Sequence, residues 1–251
     1  MLFDPPPETR FDLRFNLAGI PIRVHPLFWI VAVLFGLSGG GLLYLLIWVA
    51  VIFVSIVVHE LGHALMMRAY GQSPRIVLHG AGGVATSEPV LWGNRWAGVS
   101  LQPRQQLLVS LAGPGAGFVL AALVLVLVVV AGGSVTITPL LGFIPWPNAA
   151  LPYGGLVNAI VSSFLWVNLF WGLVNLMPVF PLDGGQVSRT LFTQFDPADG
   201  PRKSLWVSII AGAVVAVAGL IFLQSTYLAL LFGYLAFQSY QSLRGRAGFG
   251  F

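Results

Sequence analysis

The sequence predicts an all-α membrane protein with six transmembrane helices and a small antiparallel β-sheet built from an N-terminal hairpin and the 70–90 loop. Three observations carry this prediction. Of the 251 residues, 57% are hydrophobic and only 8% are charged, and the mean hydropathy is +0.88, as in integral membrane proteins. The apolar residues collect in segments of nearly the length that crosses a bilayer. The basic residues all fall on one side of these segments.

The chain is predicted to form one domain. Residues 1–10 are rich in proline and polar side chains, and we expect them to be a disordered tail. Residues 11–246 form a single membrane-embedded domain, because the loops between the apolar segments are too short to hold a folded module.

Two stretches near the N-terminus predict a β-hairpin at the membrane surface. Residues 11–17 and 20–24 each alternate apolar and polar side chains. Pro21 predicts that its strand is an edge, because proline cannot donate to a ladder. Residues 75–78 and 82–86 predict two further short strands, which we expect to pair with the hairpin.

The apolar segments predict six membrane spans, and the charges predict their orientation. The spans lie at about 26–37, 42–68, 105–131, 157–178, 205–223 and 227–241. All 12 basic residues fall on the side of the two termini, whereas the opposite loops, 38–41, 132–156 and 224–226, contain none. Both termini are therefore expected in the cytoplasm. A prokaryotic plasma membrane is expected because the chain is short and shows no targeting segment. Prolines exclude a regular helix from the 132–156 loop, which is apolar enough to return into the membrane.

Composition excludes several classes of function. The chain has a pI near 9.9, but its basic residues are spread out and form no patch, so nucleic acid is not expected as a partner. There are no cysteines, which excludes disulfides, thiolate zinc sites and a cysteine nucleophile. Histidine and carboxylate remain as the strong metal ligands.

The motif His59-Glu60-Leu61-Gly62-His63 lies near the end of the second apolar segment. Two histidines four residues apart share one face of a helix, so both imidazoles reach one metal ion. Glu60 follows the first histidine, where a carboxylate takes a proton from the water at that metal. This is the His-Glu-x-x-His pattern of zinc hydrolases. The alternative is a pair of histidines satisfied by neighbouring polar groups, but such groups are costly inside hydrocarbon without a function.

Asp183 is the predicted third ligand. The second and fourth spans both run toward the cytoplasm, so their ends lie at similar depth and bring Asp183 toward His59 and His63. We expect Gly184 and Gly185 to let the backbone turn around the metal. The alternative is that Asp183 only caps or stops a helix.

The two remaining histidines are expected to be loop residues and not ligands. His25 precedes a proline at the start of the first span, and His79 lies in a strand–glycine segment.

Together these motifs resemble the site-2 protease family of intramembrane zinc metalloproteases. The resemblance rests on residues 59–63, on 175–185, on Ala112-Gly113-Pro114 and on Gly82-Gly83, and it covers most of residues 20–200. It implies one zinc ion per chain, held by two histidines and an aspartate, with the glutamate as general base. Asn175 matches the asparagine of the family motif, which implies a role in holding substrate or the oxyanion. PDZ and CBS domains of many members have no counterpart here, so a minimal form is expected.

The resemblance implies hydrolysis of a peptide bond in or beside the transmembrane helix of a single-span membrane protein. A strand edge at 20–24 or 75–86 is expected to hold the unwound substrate. Two alternatives stay open: a membrane protein that binds zinc without cleaving, and a transporter. Glu60 argues against the first, and the absence of a repeat or of further charges inside the spans argues against the second.

Overall fold

The structure is a computed structural model that describes residues 5–37, 40–87, 90–92, 95–97, 99–140, 142, 144–222 and 224–247. Residues 1–4 of the predicted tail and residues 38–39 of the first loop lie outside this part of the chain. The helices are α1 Pro26–Gly36, α2 Leu42–Ala69, α3 Pro103–Val130, α4 Gly155–Asn175, α5 Asp183–Phe195, α6 Gly200–Ile221 and α7 Thr226–Ala247. The strands are β1 Leu13–Leu17, β2 Ile20–Val24, β3 Pro74–His79, β4 Gly82–Ser87, β5 Val90–Trp92, β6 Arg95–Ala97, β7 Ser134–Leu140 and β8 Ile144–Ala150.

Four of these helices are long and apolar enough to cross a membrane: α2, α3, α4 and α6. Helix α1 is apolar but has only 11 residues, and a span needs about 20. Helix α7 has 22 residues, but its second half carries glutamine, serine and arginine side chains, which lower its hydropathy. The protein is thus mostly helical with four candidate spans, and six crossings stay a prediction.

The chain forms two compact units. One contains residues 1–100 and 112–172, and the other contains residues 101–111 and 173–251. The boundaries fall inside α3 and α4, so each of these helices contributes to both units.

The first unit contains a four-stranded sheet in the order β1-β2-β3-β4. Strands β1 and β2 form the predicted hairpin, and β3 and β4 form a second antiparallel pair. The prediction of a wholly antiparallel sheet is wrong, because β2 and β3 run parallel, with Ile22 opposite Ile76. The chain passes through α1 and α2 between these two strands, and such a long crossover connection is what allows parallel neighbours.

The prediction that Pro21 marks an edge strand is also wrong. Strand β2 lies between β1 and β3, so the segment 20–24 offers no open edge. Pro21 is tolerated because it pairs with Asn16 of β1 but precedes the β2–β3 register, which starts at Ile22. Strand β4 pairs with β3 on one side and is the end of the sheet. The outer strands of the sheet are thus β1 and β4, and β4 overlaps the second of the two predicted segments, 75–86.

The core of this unit joins the sheet to the side of α2. Ile22, Val24 and Leu78 are almost completely buried and belong to one cluster with Val51 and Ile52 of the helix. The sheet therefore packs along an apolar helix, and its position at the membrane surface stays a prediction. Phe15 of β1 and Phe53 of α2 extend this contact, with ring centroids 6.3 Å apart.

The predicted irregular loop at 132–156 contains an antiparallel hairpin of β7 and β8. The prolines exclude a helix, as predicted, but they fit a two-stranded hairpin because both strands are edges. Pro139 lies opposite Pro145 near the turn.

The second unit contains α5, α6 and α7. Helices α6 and α7 pack closely at two glycines: Gly212 faces Ala236, and Gly219 faces Leu228. Helix α5 was not predicted, and it matters for the site because it begins at Asp183.

Candidate metal centre

The two histidines of the 59–63 motif turn their rings toward one point beside α2. Their Nε2 atoms are 3.2 Å apart, and the ring planes meet at 76°. Two nitrogen ligands of a tetrahedral zinc ion, each about 2.0–2.1 Å from the metal, lie about 3.4 Å from each other. The separation therefore suits two ligands of one ion. It also suits a hydrogen bond in which one neutral imidazole donates to the other.

His59, His63 and Asp183 form a group of potential metal ligands. Each offers one ligand atom, and these atoms lie within 4.8 Å of one another. Two imidazole nitrogens and one carboxylate oxygen are the donor set of catalytic zinc sites, which keep a fourth position for water. The side chains present thus fit zinc, and the described residues contain no second group of this kind. The role of each residue stays a prediction.

Glycine at position 113 makes room for the His63 ring. A Cβ atom at Gly113 would lie 2.2 Å from Nε2 of His63, and a Cβ atom at Gly62 would lie 2.3 Å from the carbonyl oxygen of Ala112. Both separations are far below a van der Waals contact. Helices α2 and α3 can therefore approach closely only because both positions lack a side chain. This is the physical role of the Ala112-Gly113-Pro114 segment at the centre.

Glu60 is buried, with 5% of its surface exposed, and it lies against β4. A Cβ atom at Gly83 would be 2.6 Å from Oε1 of Glu60, so a side chain at position 83 would displace this carboxylate. The edge strand of the sheet and the predicted general base are thus direct neighbours. The sequence indicated the Gly82-Gly83 stretch by resemblance but not its contact with Glu60.

Asp183 is the first residue of α5, where the positive end of the helix dipole favours a carboxylate. The prediction that Gly184 and Gly185 turn the backbone is wrong, because both are helical. Their lack of a side chain serves another purpose. A Cβ atom at Gly184 would lie 2.1 Å from the carbonyl oxygen of Leu176, and one at Gly185 would lie 2.5 Å from the nitrogen of Phe180. The glycines let the segment that precedes Asp183 cross directly over α5.

His25 and His79 are buried and have backbone partners. The Nδ1 atom of His25 accepts a hydrogen bond from the N–H of Leu27 at 3.2 Å and caps α1. The Nδ1 atom of His79, the last residue of β3, accepts from the N–H of Ala81 at 3.3 Å. Neither residue belongs to the ligand group found among the described residues.

Asn175 is the last residue of α4 and is half-buried. Its predicted role in holding substrate or the oxyanion stays a prediction. Sequence reasoning missed a second asparagine of the same helix, Asn168, which is buried and bonded to Ser55 of α2. The available signal was an amide side chain in the middle of a predicted membrane span.

Comparison with known proteins identifies similar chains. The family model described as Peptidase family M50 matches residues 47–219. A zinc metalloprotease of Methanocaldococcus jannaschii is 27% identical in an alignment of 213 residues that covers 83% of this chain and 52% of that protein. A Synechocystis protein, named only as a candidate zinc metalloprotease, is 31% identical in an alignment of 194 residues that covers 71% of this chain and 43% of that protein. The chain thus spans about half the length of the curated relatives it matches.

One solved structure shares the fold. It is the site-2 protease from Methanocaldococcus jannaschii, with a TM-score of 0.55 and 24% sequence identity. The match covers 93% of this chain and 95% of the solved one.

Proposed function

The chain belongs to peptidase family M50, and on that basis we propose that it is a zinc metalloprotease of the site-2 type. The single observation that carries the proposal is the ligand group of His59, His63 and Asp183, whose ligand atoms lie within 4.8 Å of one another. The four apolar helices and the family make it an integral membrane protein. The proposed reaction is hydrolysis of a peptide bond in or beside a transmembrane helix of the substrate.

The proposed chemistry divides between the metal and Glu60. A zinc ion in this group would act as a Lewis acid that polarises the scissile carbonyl and lowers the pKa of a water molecule toward about 7. The Glu60 carboxylate takes a proton from the attacking water and then passes it to the leaving amide nitrogen. Burial of Glu60 against β4 holds the carboxylate in one place through both steps.

Strand β4, at the end of the sheet, is the proposed seat of the substrate backbone. A transmembrane helix hides its carbonyl groups in its own hydrogen bonds, so the scissile segment must unwind before attack. Gly82–Ser87 forms the end of the sheet, and its Gly83 contacts Glu60. A substrate segment added to this strand satisfies its backbone there and lies beside the general base.

We further propose the biological setting that the family resemblance suggests. The substrate is a single-span protein whose cytoplasmic part is released, such as a membrane-tethered transcription regulator or an anti-sigma factor. Six crossings with both termini in the cytoplasm agree with the one-sided distribution of the 12 basic residues. The centre then lies toward the cytoplasmic ends of α2 and α4, where water has a short path.

The experiment that tests this function measures zinc per polypeptide in detergent-purified protein. We expect about one zinc in the wild type and a loss or strong weakening in His59→Ala and Asp183→Asn. His25→Asn is the matched control: it removes a histidine outside the group, keeps an N-cap acceptor and should retain zinc.

Activity is measured on two substrates with the same preparations. Fluorescein-labelled casein in detergent is an unfolded chain and needs no helix unwinding, whereas a single-span helix in proteoliposomes does. Wild-type protein without zinc under conditions that keep its fold would end the proposal. Full zinc affinity in Asp183→Asn would remove Asp183 from the ligand set.

A further inference from the structure

Two buried polar side chains connect α4 to α2 away from the ligand group. Asn168 is 4% exposed and Ser55 is 3% exposed. The Nδ2 group of Asn168 donates to Oγ of Ser55 at 2.9 Å and to the carbonyl oxygen of Phe164 at 2.8 Å. The remaining amide oxygen faces α3, where a Cβ atom at Gly117 would lie 3.5 Å away. Three helices of the first unit therefore meet at one asparagine.

The orientation of the Asn168 amide follows from its partners. A flipped amide would place its oxygen against the carbonyl oxygen of Phe164, and two acceptors repel each other. The Ser55 hydroxyl adapts to either orientation because it both donates and accepts. Because the carbonyl oxygen of Phe164 can only accept, Nδ2 of Asn168 lies on this side and also donates to Ser55.

Ser55 lies on the ligand face of α2. It precedes His59 by four residues and His63 by eight, so the three side chains form one stripe along the helix. Asn168 lies in a π-helical turn, Trp166–Phe170, within α4. Such turns insert an extra residue into the helix and occur often at functional sites. The turn here brings an amide to the stripe that carries the histidines.

The rotation of α2 about its own axis needs such a contact. The helix carries apolar side chains on every face, so hydrophobicity alone does not select which face meets α3 and α4. In hydrocarbon, interhelical packing and buried hydrogen bonds select it instead. Rotation of α2 would break the Ser55–Asn168 bond and would also turn both imidazoles away from their common point.

We propose that Asn168 and Ser55 are positioning residues of the metal centre. Their hydrogen bond sets the rotation of α2 and thereby holds His59 and His63 as a preorganised pair of ligands. Neither side chain acts as a ligand or a proton carrier. The inference rests on the proposed function only in that the histidine pair binds the metal.

The test compares two substitutions of equal shape at position 55. Ser55→Thr keeps the hydroxyl, whereas Ser55→Val removes it from a side chain of the same size. Asn168→Leu removes the other partner. Asn158→Leu is the control, because Asn158 lies in the same helix and makes two hydrogen bonds to the backbone of Leu151, at 2.7 and 3.0 Å.

The readouts are metal affinity and the spectrum of bound Co²⁺, besides thermal unfolding. Zinc affinity is measured by competition with a chromophoric chelator. We expect a loss of about 3- to 10-fold for Ser55→Val and Asn168→Leu, below the 10- to 100-fold typical of a group bonded directly to a ligand. The visible Co²⁺ bands should change in both variants. Ser55→Thr and Asn158→Leu should keep the affinity and the bands of the wild type.

The outcomes separate this inference from the proposed function. Unchanged affinity and Co²⁺ bands in Ser55→Val would overturn the inference while the metal site stands. The same losses in Asn158→Leu would also overturn it, because the effect would then be general destabilisation of α4. Absence of metal from the wild type would instead overturn the proposed function. If Asn168→Leu does not fold, the comparison of Ser55→Thr with Ser55→Val still tests the inference.

Discussion

At the scale of single residues, glycines leave the space that the side chains of the metal centre occupy. Gly113 leaves room for the His63 ring, and Gly83 leaves room for the Glu60 carboxylate. Each glycine borders a residue with a different proposed role, metal binding for His63 and proton transfer for Glu60. The two functions should therefore be separable by adding a single methyl group.

Gly113→Ala should abolish or strongly weaken zinc binding. The new methyl would lie 2.2 Å from Nε2 of His63, so the ring must move away from its partner His59. Zinc per polypeptide is the measurement. Gly115→Ala is the control in the same helix, since nothing lies within 4 Å of a Cβ atom there. Equal zinc contents in the two variants would contradict the close packing of α2 and α3.

Glu60→Gln should keep zinc and lose cleavage. The amide retains the shape of the carboxylate but cannot take a proton, and general acid–base catalysis contributes about 10²- to 10⁴-fold to rate. Gly83→Ala should also keep zinc and lower the cleavage rate, because its methyl displaces Glu60. Zinc content and casein hydrolysis are measured on the same samples. Proteolysis at the wild-type rate in Glu60→Gln would show that Glu60 is not the general base.

At the scale of elements, a buried ion pair ties the N-terminal segment to the β1–β2 hairpin. Arg23 contacts Asp12 at 3.0 Å and donates to the carbonyl oxygen of Pro6 at 2.8 Å. Burial raises the pKa of Asp12, but hydrogen bonds from Thr9 and Arg23 outweigh it and hold the pKa at about 2, against an ordinary value of 3.8. A lowered pKa stabilises the folded state above pH 3.8, and this contribution is lost as the pH falls toward 2.

Asp12→Asn should lower the melting temperature at neutral pH. It should also reduce the fall in melting temperature that the wild type shows below pH 4. The substitution leaves the Arg23 guanidinium without its counter-charge in a largely buried position. Thermal unfolding in detergent from pH 7 to pH 2.5 measures both effects. Glu8→Gln is the control, because the Glu8–Arg14 pair is exposed and contributes little. Identical unfolding curves for Asp12→Asn and Glu8→Gln would show that the Asp12–Arg23 pair stabilises the fold no more than the exposed pair does.

The two outer strands of the four-stranded sheet should differ in substrate contact. Because the chain contains no cysteine, single cysteines can be introduced at Thr86 of β4 and at Asn16 of β1. In a Glu60→Gln background, a substrate with one cysteine beside its scissile bond should form a disulfide with position 86. Non-reducing gels detect the product. Cross-linking at position 16 in place of position 86 would show that β4 is not the seat of the substrate.

At the scale of the whole molecule, α1 and α7 decide how many helices cross the membrane. Four helices qualify by length and composition, whereas α1 and α7 do not. The one-sided distribution of the 12 basic residues requires an even number of crossings between the termini. Six crossings keep all 12 basic residues on one side, whereas crossings by α2, α3, α4 and α6 alone would put the basic residues of both termini opposite those at 68–104 and 189–203.

Single cysteines at Tyr153 and Asp199 should label on opposite sides. Tyr153 follows the β7–β8 hairpin and is 62% exposed, and Asp199 precedes α6 and is also exposed. A membrane-impermeant maleimide applied to intact cells should modify Tyr153→Cys and spare Asp199→Cys until the cells are permeabilised. The reverse pattern would place both termini outside and refute the orientation predicted from the charges.

Features that depend on residues close together in the chain were predicted from the sequence. The spacing of His59 and His63 on one helix face is a local property of the α-helix, so the pattern by itself placed both rings together. The hairpin of β1 and β2 was predicted for the same reason, from alternation within a few residues. The bounds of the apolar helices also came within six residues of the predicted spans, because hydropathy is local.

The sequence by itself determined the membrane class, the histidine pair and the candidate ligand Asp183. Only the tertiary structure decided that β2 and β3 run parallel, that β4 is the edge beside Glu60, and that Ser55 meets Asn168. These features join residues far apart in the chain. A glycine allows close packing and an asparagine can form hydrogen bonds, but the sequence does not show which residue each of them contacts. Those contacts form only when the helices pack against each other.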